Sequence, residues 1–140
     1  MSTRSSILAE DVMLGMSSFP VLSQHAILKD ALRDMSSYSL GIACITDDKT
    51  HELLGVLTDG DLRRRLLQVQ KPFSAFLVDD ALKHSIRNPI KISRQTSLVQ
   101  AVQIMEDKRI WDLPVVNDAG TLNGLLHLHP AVNALLNNYI

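Results

Sequence analysis

Gly55-Val56-Leu57-Thr58-Asp59-Gly60-Asp61-Leu62-Arg63-Arg64-Arg65-Leu66-Leu67 is a strand that runs straight into a helix. Val56 and Leu57 form an apolar, partly β-branched strand end, and Thr58 to Asp61 make the turn. Leu62, Leu66 and Val69 then recur on one helical face, with Arg63 to Arg65 mostly off it. An acidic residue in a first helical turn is favoured by the unpaired N–H groups and by the helix dipole. Capping alone therefore accounts for Thr58 and Asp61. The same pair also has the chemistry of a binding site, because a carboxylate at such a junction accepts two hydrogen bonds from a vicinal diol such as ribose. The stretch by itself leaves both readings open.

Outward from it, the first half of the chain reads β-α-β-β-α. Residues 1–6 are polar, 7–13 fit a short helix, and 15–18 break it. Phe19-Pro20-Val21-Leu22 is extended, since Pro20 disfavours helix at Phe19. Within 23–37, Leu28, Ala31, Leu32 and Met35 fall at i, i+3, i+4 and i+7 of one helical face. Strands follow at 40–46 and 53–58 around a polar turn. The helix that ends the unit spans about 60–70.

Past Pro72, a linker with a helix fills 73–83 and Arg87-Asn88-Pro89 makes a turn. The order then repeats. Residues 90–92 are extended, and Leu98, Ala101, Val102 and Met105 match the types of Leu28, Ala31, Leu32 and Met35 at a constant displacement of 70 positions. Strands at 113–116 and 122–128 are joined through Asn117-Asp118-Ala119-Gly120, a hairpin turn by composition. A last helix begins near Pro130 and carries Val132, Leu135 and Leu136. The division expected is 1–72 for the first repeat with its N-terminal segment, and 73–140 for the linker helix and second repeat. Copies of about 60 residues are too small to be stable alone, so they are expected to pack through their sheets with pseudo-twofold symmetry. The clefts left between them are where ligands tend to bind. The fold class is α/β (α+β).

The composition, with 46% hydrophobic and 21% charged residues in 140, is that of a globular chain. A net charge of −1 gives no electrostatic case for nucleic acid or an anionic membrane surface. Cys44 is the single cysteine and lies in the apolar run Ile42-Ala43-Cys44-Ile45, so it reads as a small buried hydrophobe. An internal disulfide is impossible, which fits a reducing compartment. No apolar run reaches membrane-span length and no secretion signal is present, so a cytoplasmic protein is expected. The acid pairs Asp47-Asp48 and Asp79-Asp80 sit in turn-like stretches, and neither a P-loop nor a metal-ligand spacing occurs. No catalytic residue, metal or required cofactor is expected.

The tandem repeat, with Gly55-Val56-Leu57-Thr58-Asp59-Gly60-Asp61-Leu62-Arg63-Arg64 in one copy and Asp112-Leu113-Pro114-Val115-Val116 in the other, resembles a pair of cystathionine-β-synthase-type (CBS) domains, a Bateman module. The likeness runs from about residue 7 to 136. Thr58 to Arg64, and Gly124-Leu125-Leu126-His127-Leu128-His129, further resemble the C-terminal module of arabinose-5-phosphate isomerases. In that family a catalytic sugar-isomerase domain precedes the module. This chain has no room for it, so a non-catalytic regulatory part, excised or free-standing, is expected.

The resemblance implies a nucleotide or sugar-nucleotide ligand, either an adenine nucleotide or a cytidine-activated sugar. It also implies a homodimer and an attached or associated sugar isomerase. Ribose would be held by Thr58 and Asp61 of the Gly-x-x-Thr-x-x-Asp signature, with N–H groups from Asp59 through Gly60 to Leu62 facing phosphate. Arg63 and Arg64 reach phosphate from the first helical turn, or are simply solvated. Leu40-Gly41-Ile42 is the cleft stretch of the first copy, where Gly41 allows close approach of backbone, while Val21 and Leu22, and residues 90–92, form apolar walls. Trp111 and Pro114 line the corresponding stretch of the second copy, where Trp111 either stacks on a base or packs. His127 stands where the first copy has Thr58, and Pro130 where it has Asp61, so one intact site per chain is expected. His127 and His129, as alternate residues of a strand end, would point the same way, and either contact an anion when protonated, form half of a metal site, or are simply partly exposed polar residues. The competing reading is a dimerisation or interaction module with a vestigial cleft.

Overall fold

Two three-stranded sheets organise residues 6–138, the part of the chain that the computed structural model describes. In chain order the elements are α1 (Ala9–Val12), β1 (Val21–Ser23), α2 (Leu28–Tyr38), β2 (Ile42–Thr46), β3 (Leu53–Thr58), α3 (Asp59–Gln68) and α4 (Phe73–Leu77). A 3-10 turn (Ala81–His84) follows, then β4 (Ile92–Ser93), α5 (Leu98–Lys108), β5 (Asp112–Val116), β6 (Leu122–His127) and α6 (Leu128–Asn138). Each repeat is β-α-β-β-α, as expected. The 73–83 stretch is not one helix but α4 and the 3-10 turn, and α6 starts at Leu128, ahead of Pro130.

Ser17–Pro89 is one compact unit. Its sheet has the order β1-β2-β3, with β1 parallel and β3 antiparallel to β2. All five residues of β2 are buried, as in a strand covered on both faces. Leu28, Ala31 and Met35 of the amphipathic α2 pack with Leu22, Ala43, Ile45 and Leu57. The helix ends where Ser39 turns left-handed (φ 55°) and its N–H returns to the Met35 and Ser36 carbonyls. In α3, Leu62 is buried and Val69 partly so, whereas Leu66 stays exposed.

The edge of β3 is closed by residues 79–86, which act as a strap. The Ala81 N–H donates to the Ala26 carbonyl at 2.8 Å. Val56 and Ile86 exchange both backbone bonds at 3.1 and 2.8 Å. Gly55 lies under this crossing, and a Cβ there would collide with the Ser85 hydroxyl and come within 3.0 Å of the Ile86 carbonyl.

Residues 6–16 and 90–138 form the other compact unit. Its sheet, β4-β5-β6, repeats the same directions. Leu98, Ala101 and Met105 of α5 are buried against Leu113, Val115 and Leu126. The strap here is residues 7–14. The Ala9 N–H donates to the Thr96 carbonyl at 2.8 Å, and Leu14 and Leu125 exchange both bonds at 2.8 and 3.1 Å. Gly124 again accommodates the crossing, since a Cβ would lie 2.7 Å from the Leu14 carbonyl. The sequence division at 72/73 thus follows the repeat, while packing groups 73–89 with the first sheet and the segment before Ser17 with the second. No helix among the described residues is long and apolar enough to cross a membrane.

Candidate functional site

Thr58 is the last residue of β3, opposite Ile42, and the N-cap of α3. Its extended backbone (φ −122°, ψ 160°) lets the hydroxyl fold back over the first helical turn. The Asp61 N–H donates to Thr58 Oγ1 at 3.1 Å, and the Thr58 hydroxyl donates to Asp61 Oδ2 at 2.7 Å. Asp61 Oδ1 accepts from Arg64 Nη2 at 2.6 Å. The carboxylate side chain is only 16% exposed, whereas that of Arg64 is 58% exposed. A carboxylate offers about four acceptor directions. Thr58 and Arg64 take one direction on each oxygen, so a diol that bridges both oxygens meets Arg64 at Oδ1.

The Asp59 N–H donates to the Gly41 carbonyl at 3.1 Å, which pins the start of α3 to the start of β2. A Cβ on Gly41 would come 2.8 Å from Asp59 Oδ2, so glycine is required for this approach. The N–H groups of Asp59 and Asp61 are therefore already engaged, which corrects the expectation that the whole run faces a phosphate. A Cβ on Gly60 would meet the Arg64 guanidinium at 3.4 Å, an ordinary contact. Arg63 is exposed, Ile42 is buried in β2, and Val21 is half-buried in β1 opposite Cys44.

Gly41 and Asp59 line a hollow of about 430 Å³ with Leu32, Met35, Ser36, Ser39 and Leu40. The other unit has a hollow of about 410 Å³ at the corresponding place, where Trp111 and Leu128 stand for Gly41 and Asp59. The Leu128 N–H donates to the Trp111 carbonyl at 2.8 Å, the same junction bond as between Asp59 and Gly41. Trp111 is 69% exposed beside Val102, Ile110 and Val132.

The second junction carries different chemistry. His127 Nδ1 lies 2.8 Å from Asp112 Oδ1, its cross-strand partner. Burial pushes the Asp112 carboxyl above its ordinary value, a shift opposed by the bond to His127. His129 is not on the strand at all but in the first turn of α6, so strand alternation does not pair it with His127. Pro114 is fully buried opposite Leu125 and offers no surface to a ligand in this state. Among the described residues no group of three or more His, Cys, Asp or Glu is arranged to hold a metal ion.

Sequence reasoning missed three features. Asp112 is the counterpart of Ile42, and an acid opposite a histidine in the expected β5–β6 register was the available signal. The Arg64–Asp61 bond follows the i,i+3 spacing of helical ion pairs. The third is a cluster around the buried His84 at the far end of α3. The Arg65 Nε–H donates to His84 Nδ1 at 3.1 Å, His84 Nε2 meets Asp79 Oδ2 at 2.8 Å, and Lys71 donates to both Asp79 oxygens at 3.1 and 2.9 Å. Because Nδ1 accepts from Arg65, the proton of a neutral His84 sits on Nε2 and points at Asp79. Lys71 and His84 hold the Asp79 carboxyl down at about 2. No short local motif announces this cluster.

Two β-α-β-β-α units, each with a strand that runs straight into a helix and a strap across its last strand, make a tandem-repeat module. The CBS domain family model matches residues 9–68 and 78–129, and the chain belongs to that family. A CBS pair by itself is a regulatory module and not a catalytic one. Over 124 residues the chain is 34% identical to arabinose 5-phosphate isomerase KdsD of Yersinia pestis, covering 89% of this chain and 36% of that one. An uncharacterized protein of Helicobacter pylori is 33% identical over 119 residues, 84% of this chain and 34% of its own length. The chain therefore spans about a third of the length of these relatives. The crystal structure of CBSX2 in complex with AMP superposes with a TM-score of 0.81 at 24% identity, covering 96% of this chain and 99% of that one. The CBS domains of a transcriptional regulator from Streptococcus pneumoniae give 0.76 at 16% identity, over 91% and 98%. Both likenesses carry the fold.

Proposed function

We propose that this CBS pair is a non-catalytic sensor that binds a nucleotide or sugar nucleotide through Thr58 and Asp61, and so biases an attached or associated cytoplasmic sugar-phosphate isomerase, as a homodimer. The observation that carries this reading is the Asp61 carboxylate, largely buried and oriented by the Thr58 hydroxyl, with acceptor directions left for a diol. AMP in the CBSX2 crystal structure makes adenine nucleotides the first class to try. The likeness to the Yersinia pestis isomerase supports a sugar-phosphate isomerase as the regulated enzyme, and cytidine-activated sugars are the second class to try. A ligand acts here by its differential affinity for two arrangements of the module, and shifts the equilibrium by no more than that difference.

A second reading, an interaction module, is favoured by the other unit. There Pro130 replaces the ribose-binding carboxylate, and Trp111 stands exposed beside Val132. Thermal-shift titration of the purified chain against AMP, ATP, CMP and a cytidine-activated sugar separates the two. A ligand that binds only the folded state adds about 2.7 kcal/mol of stability at a hundredfold excess over its dissociation constant. The sensor requires a rise in melting temperature with one class, absent from Asp61→Ala. No rise with any of them, in a chain that sediments as a dimer, selects the interaction module.

A further inference from the structure

Resting on that reading of the junction, we infer that Arg64 is the specificity residue: its guanidinium guards Asp61, is displaced by the ligand's vicinal diol, and turns to the ligand's phosphate, so that phosphorylated ribosides are selected over neutral nucleosides.

The two ends of the ion pair are unequal. Asp61 is fixed, since its N–H and Oδ2 are both tied to Thr58 and its side chain is 16% exposed. Arg64 is on a long side chain that is 58% exposed, and the structure gives its guanidinium no hydrogen bond other than the one to Asp61 Oδ1. The oxygen that Arg64 occupies is the one that Thr58 leaves open. A diol that spans the carboxylate edge has to compete for it.

Competition with an exposed i,i+3 pair is mild, a factor of about 2–5 in affinity. A nucleoside that evicts Arg64 gives nothing back for the lost pair. A nucleotide does, because the freed planar fork is suited to a phosphate, and charge-assisted hydrogen bonds of that kind are worth about tenfold or more in affinity. The guard therefore works against one ligand class and for the other. Arg63, one residue earlier and exposed, makes no hydrogen bond to Asp61 among the described residues and lacks this double role.

The test is isothermal titration of the whole chain with AMP, adenosine, CMP and cytidine, using wild type, Arg64→Gln, Arg64→Lys and Asp61→Asn, with melting curves to confirm folding. Arg64→Gln is expected to bind the nucleoside about 2–5-fold tighter and the nucleotide weaker, so the nucleotide-to-nucleoside affinity ratio falls at least about tenfold. Arg64→Lys, which keeps the charge but not the fork, falls between the two. An unchanged ratio in Arg64→Gln, with nucleotide binding still lost in Asp61→Asn, overturns the guard and leaves the sensor reading intact. Equal weakening of both ligands in Arg64→Gln also overturns it. Failure of every probe to bind any variant, or full AMP binding by Asp61→Asn, overturns the sensor reading and the guard with it.

Discussion

The two units share a backbone plan and differ in what holds it. In Ser17–Pro89, the strap at 79–86 is locked by Arg65, His84, Asp79 and Lys71, and the junction is a hydroxyl, a carboxylate and a guanidinium. In the other unit the strap at 7–14 is held by Ile7, Val12 and Met13 against an apolar core, and the junction is a single His127–Asp112 pair. The strand ladders differ for a chemical reason. The Cys44 N–H donates to the Pro20 carbonyl, but its counterpart Pro114 has no N–H to donate, and β4 is two residues long against three for β1. The lesson is that core and crossing geometry define the repeat, while polar groups at its junction and strap are free to diverge.

The comparison breaks first in the core if it is wrong. Leu57 and Leu126 are equivalent and both fully buried, so alanine at either should cost about 2–5 kcal/mol, and the two losses should agree within the scatter of such sites. Urea unfolding of each variant measures this. A loss confined to one unit means that the two cores are not energetically equivalent.

The glycine crossings come next. Gly124→Ala puts a Cβ 2.7 Å from the backbone carbonyl of Leu14, which cannot turn away, and should cost about 1–3 kcal/mol or more. Gly55→Ala meets the Ser85 hydroxyl, which can rotate, with the Ile86 carbonyl at 3.0 Å, so its cost should be smaller. Ser85→Gly in the same chain should recover part of the Gly55→Ala loss, and Leu14→Ala should not recover the Gly124→Ala loss, since the clash is with the Leu14 backbone and the Met13 thioether and not with the Leu14 side chain.

At the junction, Thr58→Val removes the α3 cap and should lower stability by about 1 kcal/mol. His127 makes no such cap, and His127→Gln should act through Asp112 instead. Melting temperatures of the two variants sharpen the contrast.

The smallest effects are in pH dependence, and they have opposite signs in the two units. Asp79 is depressed from 3.8 to about 2, so its contribution is complete above pH 3.8 and is lost as pH falls toward 2. Asp112 is raised by burial, so its contribution is complete below pH 3.8 and is lost as pH rises through the raised value. Asp79→Asn should therefore lower the unfolding midpoint at neutral pH and converge on wild type in strong acid. Asp112→Asn, whose amide oxygen still accepts from His127, should raise the midpoint at neutral pH and converge likewise. A urea series between pH 2 and 7 reads both.

Element types were legible because they depend on short-range patterns. The i, i+3, i+4, i+7 spacing of Leu28, Ala31, Leu32 and Met35, its recurrence at Leu98, and the Asn117 to Gly120 turn all appear where local sequence places them. The Thr58–Asp61 pair was legible for the same reason, since both partners lie within one helical turn. The 73–83 stretch was not, because the strap divides its backbone bonds between its own short turns and the distant Ala26 and Val56.

The sequence alone determined the tandem repeat, the order of strands and helices, the buried faces of α2 and α5, and the capped junction at Thr58. Tertiary structure decided which strap closes which sheet, why Gly55 and Gly124 admit no side chain, that Asp112 is the partner of His127, that Pro114 is buried, and that Arg65 reaches His84. Periodicity and capping are settled by residues within about a turn of one another. Strap docking, cross-strand pairs and buried ionic clusters join residues far apart in the chain, and are fixed only when sheet register and core packing bring them together.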